Sequence, residues 1–505
     1  LAVTVLCVWY GIAVLYGADK GSAFAGFLKM LSGIMFLAVI LQYEEDERRE
    51  LLKAVPFAGI LIIVVGVLAW LTGVGENFLF LEGRFGGTLQ YSNTMAVYFL
   101  AGMIVLEEGE ELSWGLKARS RTIGVAMLFA GILATGSRAV FVIAAVYLLA
   151  TAFLKKQLRA VHLVLLFLAA AGGTIYVVFT SDFQNIGRFL TISVHSSTFL
   201  GRFLYWRDAV ALILDHPLGV GYGGYEPLQG LYQSGVYRTE FVHNDLLQYV
   251  IDVGILPTVF YAAAIAGSLA AKSVGKLRRL LLLVVVLHSL FDFDMQYLAI
   301  FYLVILCLNI DEGRVRNVEL RKKWVMGMFA VPAGVWAWFA SVLIAGFLGD
   351  AGTAYRLWPA YTDAAQKLLE DADSLEEARD IARDILNTAP HLTVAYNTLA
   401  LGALEEHDEE AMIEYEKEAL CRHPYILDEY VFYLQILSRQ ISWCQENGDK
   451  EGFEKCRDAA LEIPDMLTRL QDRTSPLGWK IQDKPQTELP EEAQEYLEIL
   501  EQLRG

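Results

Sequence analysis

The sequence predicts an all-α, polytopic membrane protein followed by a soluble α-helical repeat domain. The 505 residues are 55% apolar and their mean hydropathy is +0.40, above what a soluble globular domain usually shows. Residues 351–505 hold 33 Asp and Glu against 15 Lys and Arg, whereas residues 1–350 are nearly neutral. The chain is therefore predicted to divide into a membrane domain at 1–348 and an acidic domain at 349–505, and the acidic balance argues against nucleic acid as a partner.

Apolar stretches that cross, or nearly cross, a bilayer predict about eleven transmembrane spans. They lie at about 1–16, 24–42, 54–73, 90–106, 122–135, 138–154, 161–179, 250–271, 280–291, 297–310 and 324–348. Because the chain begins inside an apolar run at Leu1, a further span is expected upstream. Five cysteines without metal-type or disulfide spacing predict no metal site and no disulfide framework.

The charge of the connecting segments predicts the orientation of these spans. One set of connections holds 18 Lys and Arg: 43–53, 107–121, 155–160, 272–279 and 311–323. The alternate set holds six: 17–23, 74–89, 136–137, 180–240 and 292–296. The positive-inside rule makes the first set cytoplasmic, so the long loop 180–242 and the acidic domain face outward. An outward-facing enzyme has no access to cytosolic nucleotide sugars, so its donor would be borne by the membrane.

This orientation depends on a break between the stretches 280–291 and 297–310. Merging them into one span would place the acidic domain in the cytoplasm. Asp292 and Asp294 favour the break, because two carboxylates inside the hydrocarbon would cost several kcal/mol.

The acidic domain shows a repeat of 34 residues. Pro390 and Pro424 are separated by this period, and so are Tyr396 and Tyr430. It is the tetratricopeptide period and predicts a short helix-turn-helix array that docks a partner such as an envelope protein. An ordinary helical bundle with a chance period stays open.

The loop contains a candidate surface helix. Arg202 and Trp206 are four residues apart and would share its face, with Asp208 and Asp215 turned towards water. Such a helix would lie along the outer membrane surface. Trp206 as a simple interfacial anchor and Arg202 as a snorkelling side chain remain the alternative.

His243 is the candidate general base. Asn244 or Asp245 can cap the helix that follows, and Gln248 completes a capping-box spacing with Asp245. A histidine at a helix N-terminus favours the neutral, proton-accepting ring. The alternative is a histidine that only bonds to backbone near the cap.

Three further motifs lie on the outward side. Arg138, between two spans, could grip a phosphate with its planar fork, and Arg84 is the only base of its outward loop, although both could snorkel to head groups. The glycines of residues 217–224 permit tight turns and close approach of backbone to a ligand. Residues 288–294 contain an Asp-x-Asp, for which a structural polar network is favoured over a metal site.

These motifs together resemble the O-antigen ligase and O-antigen polymerase superfamily of bacterial envelope glycosyltransferases. The resemblance covers residues 74–310, and members with tetratricopeptide-like tails also occur. It rests on an arginine-glycine stretch leading into a span, a Gly-Ser-Arg turn and the ordered series of loop motifs. These are residues 84–93, 136–138, 201–206, 217–221, 243–244 and 288–294.

The resemblance implies transfer of a glycan from an undecaprenyl-diphosphate carrier to an acceptor hydroxyl, at the outer face of the bacterial inner membrane and without nucleotide or metal cofactor. The acceptor would be a glycan, a lipid or a protein. On the positions that match, His243 would be the base, and Arg202 and Arg138 would hold the diphosphate. Further substrate-binding candidates are Arg84, Arg207, Trp206, Asn244 and His288.

Two other classes of function stay open from the sequence. A flippase or transporter for lipid-linked sugar would place basic residues along a path across the membrane. A membrane scaffold would act through its helical repeats alone.

Overall fold

The computed structural model describes residues 1–110, 112–113, 115, 117–155, 159–180, 197–310 and 321–503, with backbone alone at 172–180 and 197–198. The first part of the predicted loop, 181–196, and residues 156–158 and 311–320 of two predicted cytoplasmic connections lie outside this set. Within it the protein is helical apart from one antiparallel pair of strands, β1 (Phe80–Leu81) and β2 (Arg84–Phe85). The all-α prediction is confirmed for the described residues.

Every predicted apolar stretch coincides with helix. The helices of residues 1–348 are α1 (Ala2–Ala13), α2 (Lys20–Ile40), α3 (Glu45–Glu50), α4 (Ala54–Thr72), α5 (Glu76–Leu79), α6 (Ser92–Glu108), α7 (Ala118–Thr135), α8 (Arg138–Leu154), α9 (Arg159–Thr180), α10 (Ser197–Asp215), α11 (Tyr225–Tyr232), α12 (Asp245–Val253), α13 (Ile255–Ala270), α14 (Lys276–Ser289), α15 (Leu298–Cys307) and α16 (Lys322–Phe347). The stretch 250–271 differs, because Gly254 interrupts it with a φ of +84°. A side chain there would meet the carbonyl oxygen of Pro217, so glycine is required.

The prediction of about eleven transmembrane spans is wrong when the helices are judged by their length and composition. Among the described residues, three helices are long and apolar enough to cross a membrane: Lys20–Ile40, Glu45–Thr72 and Lys322–Phe347. Five more apolar helices have 10–17 residues. At about 1.5 Å per residue such helices reach roughly 15–25 Å, less than the ~30 Å of a bilayer core. Apolar length in the sequence therefore overstated the number of full crossings.

The predicted break after α14 is present. Helix α14 ends at Ser289, a single 3₁₀ turn follows at Asp294–Gln296, and α15 begins at Leu298. Helix α6 passes close by and is buried along nearly its whole length, so its N-terminal turn is held rigidly. Its Gly102 allows α4 to approach at Pro56. This core fixes the elements that carry the polar site.

The glycine run of the loop packs against the protein itself. Val220 N–H donates to the carbonyl of Ile251 at 2.7 Å, and Gly221 N–H donates to that of Asp252 at 3.0 Å. A side chain on Gly219 would collide with the Asp252 backbone. The glycines were predicted to let the backbone come close to a ligand. This expectation is corrected, because the backbone comes close to α12 instead.

Helix α10 is oriented differently from the prediction at one position. Asp215 is exposed as expected, but Asp208 is buried. Its carboxylate accepts hydrogen bonds from Ser234 N–H at 2.8 Å, Ser234 Oγ at 2.7 Å and Tyr237 Oη at 3.0 Å. The loop folds back over α10 and covers the side that the helical wheel turned towards water.

The C-terminal part is a succession of eight helices. They are α17 (Ala351–Leu357), α18 (Thr362–Glu370), α19 (Leu375–Thr388), α20 (Thr393–Glu406), α21 (Glu409–Arg422), α22 (Leu427–Asn447), α23 (Lys450–Arg473) and α24 (Glu491–Gln502). The hydroxyl of Tyr396 donates to the carbonyl of Pro390 at 3.0 Å, and Tyr430 donates to Pro424 in the same way at 3.0 Å. One turn thus recurs after 34 residues, whereas membership of the tetratricopeptide class stays a prediction.

These C-terminal helices pack directly on the loop. Arg473 donates to the carbonyls of Gly230 and Leu231 at 2.9 and 2.7 Å, and Ser475 N–H donates to that of Ser234 at 2.9 Å. Gly230 lies so close to the backbone of Arg422 that no side chain would fit. The two predicted domains therefore touch through backbone groups.

Candidate functional site

A polar cavity of about 130 Å³ lies where β2, the α7–α8 turn, α10 and the α14–α15 break meet. It is lined by Arg84, Asn93, Gly136, Ser137, Arg138, Ala139, Arg202, His288, Phe291 and Asp292. The fold thus gathers three arginines and a histidine, from distant parts of the sequence, around one carboxylate. Such a concentration of cationic side chains favours an anionic ligand.

Asp292 is the centre of this arrangement and is only 1% exposed. Its Oδ1 accepts from the Tyr91 hydroxyl at 2.7 Å, and its Oδ2 accepts from Asn93 Nδ2 at 2.8 Å. Arg202 Nη2 lies 3.3 Å from Oδ2, and His243 Nδ1 lies 3.3 Å from Oδ1. The carboxylate therefore orients two predicted site residues at once.

The charge state of Asp292 follows from these partners. Burial alone would raise the pKa of Asp292, but the hydrogen bond from His243 and the positive charges of His288 and Arg202 outweigh it. The pKa of this carboxyl is held well below its usual value. Asp292 is consequently ionised at neutral pH and can hold a cationic neighbour in place.

His243 is held at the edge of this cluster in an unusual backbone conformation, with a φ of +52°. Asn244 is the N-cap of α12, accepting from Leu247 N–H at 3.0 Å, and it also donates to the Leu290 carbonyl at 2.9 Å. Trp206 Nε1 donates to the carbonyl of Val242 at 3.0 Å. With its Nδ1–H directed at Asp292, the ring presents Nε2 as the proton-accepting nitrogen.

The turn between α7 and α8 supplies the opposite wall. Helix α7 ends at Gly136, with a φ of +64°, and α8 begins at Arg138. Arg84 Nε donates to the carbonyl of Thr135 at 2.9 Å, and its Nη2 donates to Asn93 Oδ1 at 2.8 Å. The first turn of a 17-residue helix therefore faces the cavity together with two arginines, which is an arrangement suited to phosphate.

The second carboxylate of the Asp-x-Asp has separate partners. Asp294 accepts from Thr94 Oγ1 at 2.7 Å and is 2.6 Å from Nδ1 of the buried His288. Asp292 and Asp294 thus hold different donors and form the polar network that the sequence favoured.

The predicted residues fall into three groups. Arg138, Arg202, Arg84 and His288 line the cavity, and His243 contacts its central carboxylate. Trp206 and Asn244 do not line the cavity and instead hold the backbone on either side of His243. Arg207 is exposed and lies away from the described lining of the cavity.

Sequence reasoning gave no role to three residues that organise the site: Tyr91, Asn93 and Thr94. Each donates to one of the two carboxylates across about 200 positions of sequence. Part of their signal was present, because Tyr91 and Asn93 belong to the stretch 84–93 that carries the resemblance and Thr94 follows it directly. Nothing in the sequence, however, pairs them with Asp292 and Asp294.

Residues 123–262 match the family described as O-antigen ligase (Wzy_C). The matched range contains Arg138, Arg202 and His243, whereas Arg84 and Asp292 lie outside it. No curated protein and no solved structure matches the chain significantly.

The apolar helices and this match suggest a bacterial membrane protein with a role of the glycosyltransferase type. The match supports the predicted relationship to the O-antigen ligase superfamily, and that family implies a lipid-linked glycan donor and an acceptor.

Proposed function

We propose that the protein transfers a glycan from an undecaprenyl-diphosphate donor to an acceptor hydroxyl, as an O-antigen ligase or polysaccharide polymerase does. The observation that carries the proposal is the single cavity in which Arg84, Arg138, Arg202 and His288 surround Asp292, with His243 beside it. The diphosphate occupies this cavity, and its negative charge is matched by the arginines and the first turn of α8.

The reaction follows from the positions of these groups. The acceptor oxygen attacks the anomeric carbon of the donor sugar, and the bond from that carbon to the diphosphate oxygen breaks. The electron pair leaves with the diphosphate, whose growing charge Arg138 and Arg202 stabilise. His243 Nε2 takes the acceptor proton, while Asp292 holds the ring through Nδ1. No nucleotide or metal takes part in the proposed reaction.

The proposal includes an orientation for the chain. The protein is a multi-pass protein of the inner membrane, and the loop 180–242 and the C-terminal helices lie outside the cytoplasm. The basic residues next to the three long helices support this orientation: 43–53 holds three Lys and Arg and 311–323 holds five, against one each in 17–23 and 74–89. The C-terminal helices form a tetratricopeptide-like domain that docks an envelope protein, supported by the turn that recurs after 34 residues.

The test is a transfer assay with the full chain in proteoliposomes, using a synthetic polyprenyl-diphosphate glycan as donor. His243→Ala is expected to lower the rate by about 10²–10⁴-fold, because it removes the base. Arg138→Ala and Arg202→Ala are expected to weaken donor binding as well as to slow the reaction.

Arg207→Ala is the matched control for the arginines, because Arg207 is on α10 but outside the cavity. EDTA is expected to leave the rate unchanged. A His243→Ala variant that is folded and fully active would end the assignment of the base, and loss of activity in EDTA would end the metal-free reaction.

A further inference from the structure

A second group of side chains adjoins His243 without lining the cavity. Lys29, in α2, donates from Nζ to Gln296 Oε1 at 2.5 Å and lies 4.6 Å from the centre of the Tyr222 ring. In the described part of the chain, no carboxylate oxygen lies within 4.0 Å of this amine. A half-buried lysine on a membrane helix with no carboxylate in direct contact is costly, and Asp252, Asp245 and Glu240 act on it only from a greater distance. Such residues usually mark a binding site.

Aromatic rings connect this lysine to the proposed base. Ring centres are 6.1 Å apart between Tyr222 and Phe241, 4.9 Å between Phe241 and Phe293, and 4.9 Å between Phe293 and His243. Two further tyrosines continue the row, because Tyr91 stacks on both Phe293 and Tyr297. We call these five non-histidine rings the aromatic patch: Tyr91, Tyr222, Phe241, Phe293 and Tyr297.

Two glycines fix the position of Tyr222 in the patch. Any side chain at position 26 would collide with Tyr222. Because the residue is Gly26, the tyrosine can lie against α2 one turn before Lys29. Gly223, with a φ of +70°, packs in the same way on Ser22. The glycine run therefore positions Tyr222 beside the amine.

The chemistry of the patch suits a sugar that carries an acid. Four of the rings are half-buried and offer apolar area to the C–H face of a pyranose, whereas Phe241 is buried. The tyrosines add polar groups at the rim. The hydroxyls of Tyr222 and Tyr297 have no hydrogen-bond partner among the described residues. The ammonium of Lys29 supplies the charge for a carboxylate or a phosphate.

His243 stands between the two sites. Its Nδ1 faces Asp292 and the arginine cavity, and its ring lies 4.9 Å, centre to centre, from that of Phe293 in the aromatic patch. An acceptor on the patch and a donor in the cavity would therefore approach the same histidine from different sides. This is the arrangement that a transfer between two bound substrates requires.

We propose that the aromatic patch and Lys29 form the acceptor subsite, and that it binds a glycan bearing a carboxylate or a phosphate. The subsite presents the acceptor hydroxyl to His243 Nε2, so the inference rests on the proposed function. It adds to that function the statement that the acceptor glycan carries a negative charge.

The experiment measures binding to the full chain in nanodiscs by saturation-transfer NMR. The glycan probes are cellobiouronic acid, cellobiose 6′-phosphate and neutral cellobiose, and farnesyl diphosphate reports on the donor cavity. At least one acidic probe is expected to bind at least five-fold more tightly than cellobiose. Comparison of the carboxylate probe with the phosphate probe shows which acid the site prefers. Lys29→Met is expected to remove this difference, and Lys29→Arg to keep it.

Lys20→Met is the matched control, because Lys20 is the other lysine of α2 and donates to the Asn387 carbonyl. Equal binding of acidic and neutral probes to the unmodified protein would overturn the inference. So would a Lys29→Met variant that weakens every probe alike, farnesyl diphosphate included, since that marks a structural role. If Arg138→Ala and Arg202→Ala leave the affinity for farnesyl diphosphate unchanged, that result would count against the proposed function alone.

Discussion

Asp292 at the membrane edge and Glu416 in the C-terminal helices are both fully buried acids, yet their surroundings are opposite. Asp292 has the hydroxyl of Tyr91, the amide of Asn93, the guanidinium of Arg202 and the ring of His243 as partners, and its pKa is held low. Both carboxyl oxygens of Glu416 lack a hydrogen-bond partner within the described chain, and burial with the nearby charge of Glu429 raises the pKa of Glu416 to about 8. The first acid is built to carry charge, and the second to be neutral.

Asp208 stands between these two cases. It accepts three hydrogen bonds from Ser234 and Tyr237, but no cationic group among the described residues lies within 4.0 Å of it, and burial raises the pKa of Asp208. The difference teaches that burial alone does not identify a functional acid. What distinguishes Asp292 is that it orients two side chains of the candidate site, Arg202 and His243.

The largest effect is expected for Asp292→Asn. The amide is isosteric, so the fold is retained, but His243 and Arg202 lose the charge that orients them. The transfer rate should fall by about 10²–10⁴-fold, as expected when a histidine base loses its carboxylate. Steady-state kinetics in proteoliposomes measure the change, and exposed Asp215→Asn on α10 is the control. A rate within three-fold of the unmodified protein would remove Asp292 from the site.

A smaller effect is expected for Asp208→Asn. This change weakens the bonds to Ser234, which in turn contacts Ser475 of the C-terminal helices. The loss should be on the order of 10-fold in rate, about 1.4 kcal/mol, because Arg202 on the same helix becomes less well positioned. Hydrogen exchange should rise in α11 and near Ser475. Unchanged exchange there, whatever the rate, would contradict the coupling.

The smallest effect on activity is expected for Glu416→Gln, which should leave the transfer rate unchanged. Its effect is on pH dependence. Between about pH 4.5 and 8 the native state keeps a proton that the unfolded state releases, so stability falls as pH rises, by up to about 1.4 kcal/mol per pH unit. Thermal unfolding of the full chain from pH 5 to 9 should show a flatter profile for the variant. An identical profile would mean that Glu416 is ionised when folded.

The helices could be predicted from the sequence because apolar stretches of this length have few other solutions in a membrane protein. The individual site residues were also visible, since Arg138, Arg202 and His243 stand out beside apolar segments. What apolarity could not predict is the number of full crossings, because a short helix inside the protein and a spanning helix have similar composition.

The assembly of the site was beyond sequence reasoning for a geometric reason. Tyr91 and Asn93 meet Asp292 across some 200 positions, and no local pattern records such a pairing. The helical wheel of α10 failed at Asp208 for a related reason, because it assumes that the polar face meets water. Here the loop returns and supplies Ser234 and Tyr237 instead.

The contact between Arg473 and Gly230 has a consequence for the timing of biogenesis. The arginine that holds this part of the loop lies 243 positions further along the chain. At about 5–20 residues per second, the ribosome needs roughly 10–50 s to make that interval. During this time α11 lacks its partner, so the newly made protein passes through a stage in which the helices up to Phe347 are complete and the C-terminal helices are not.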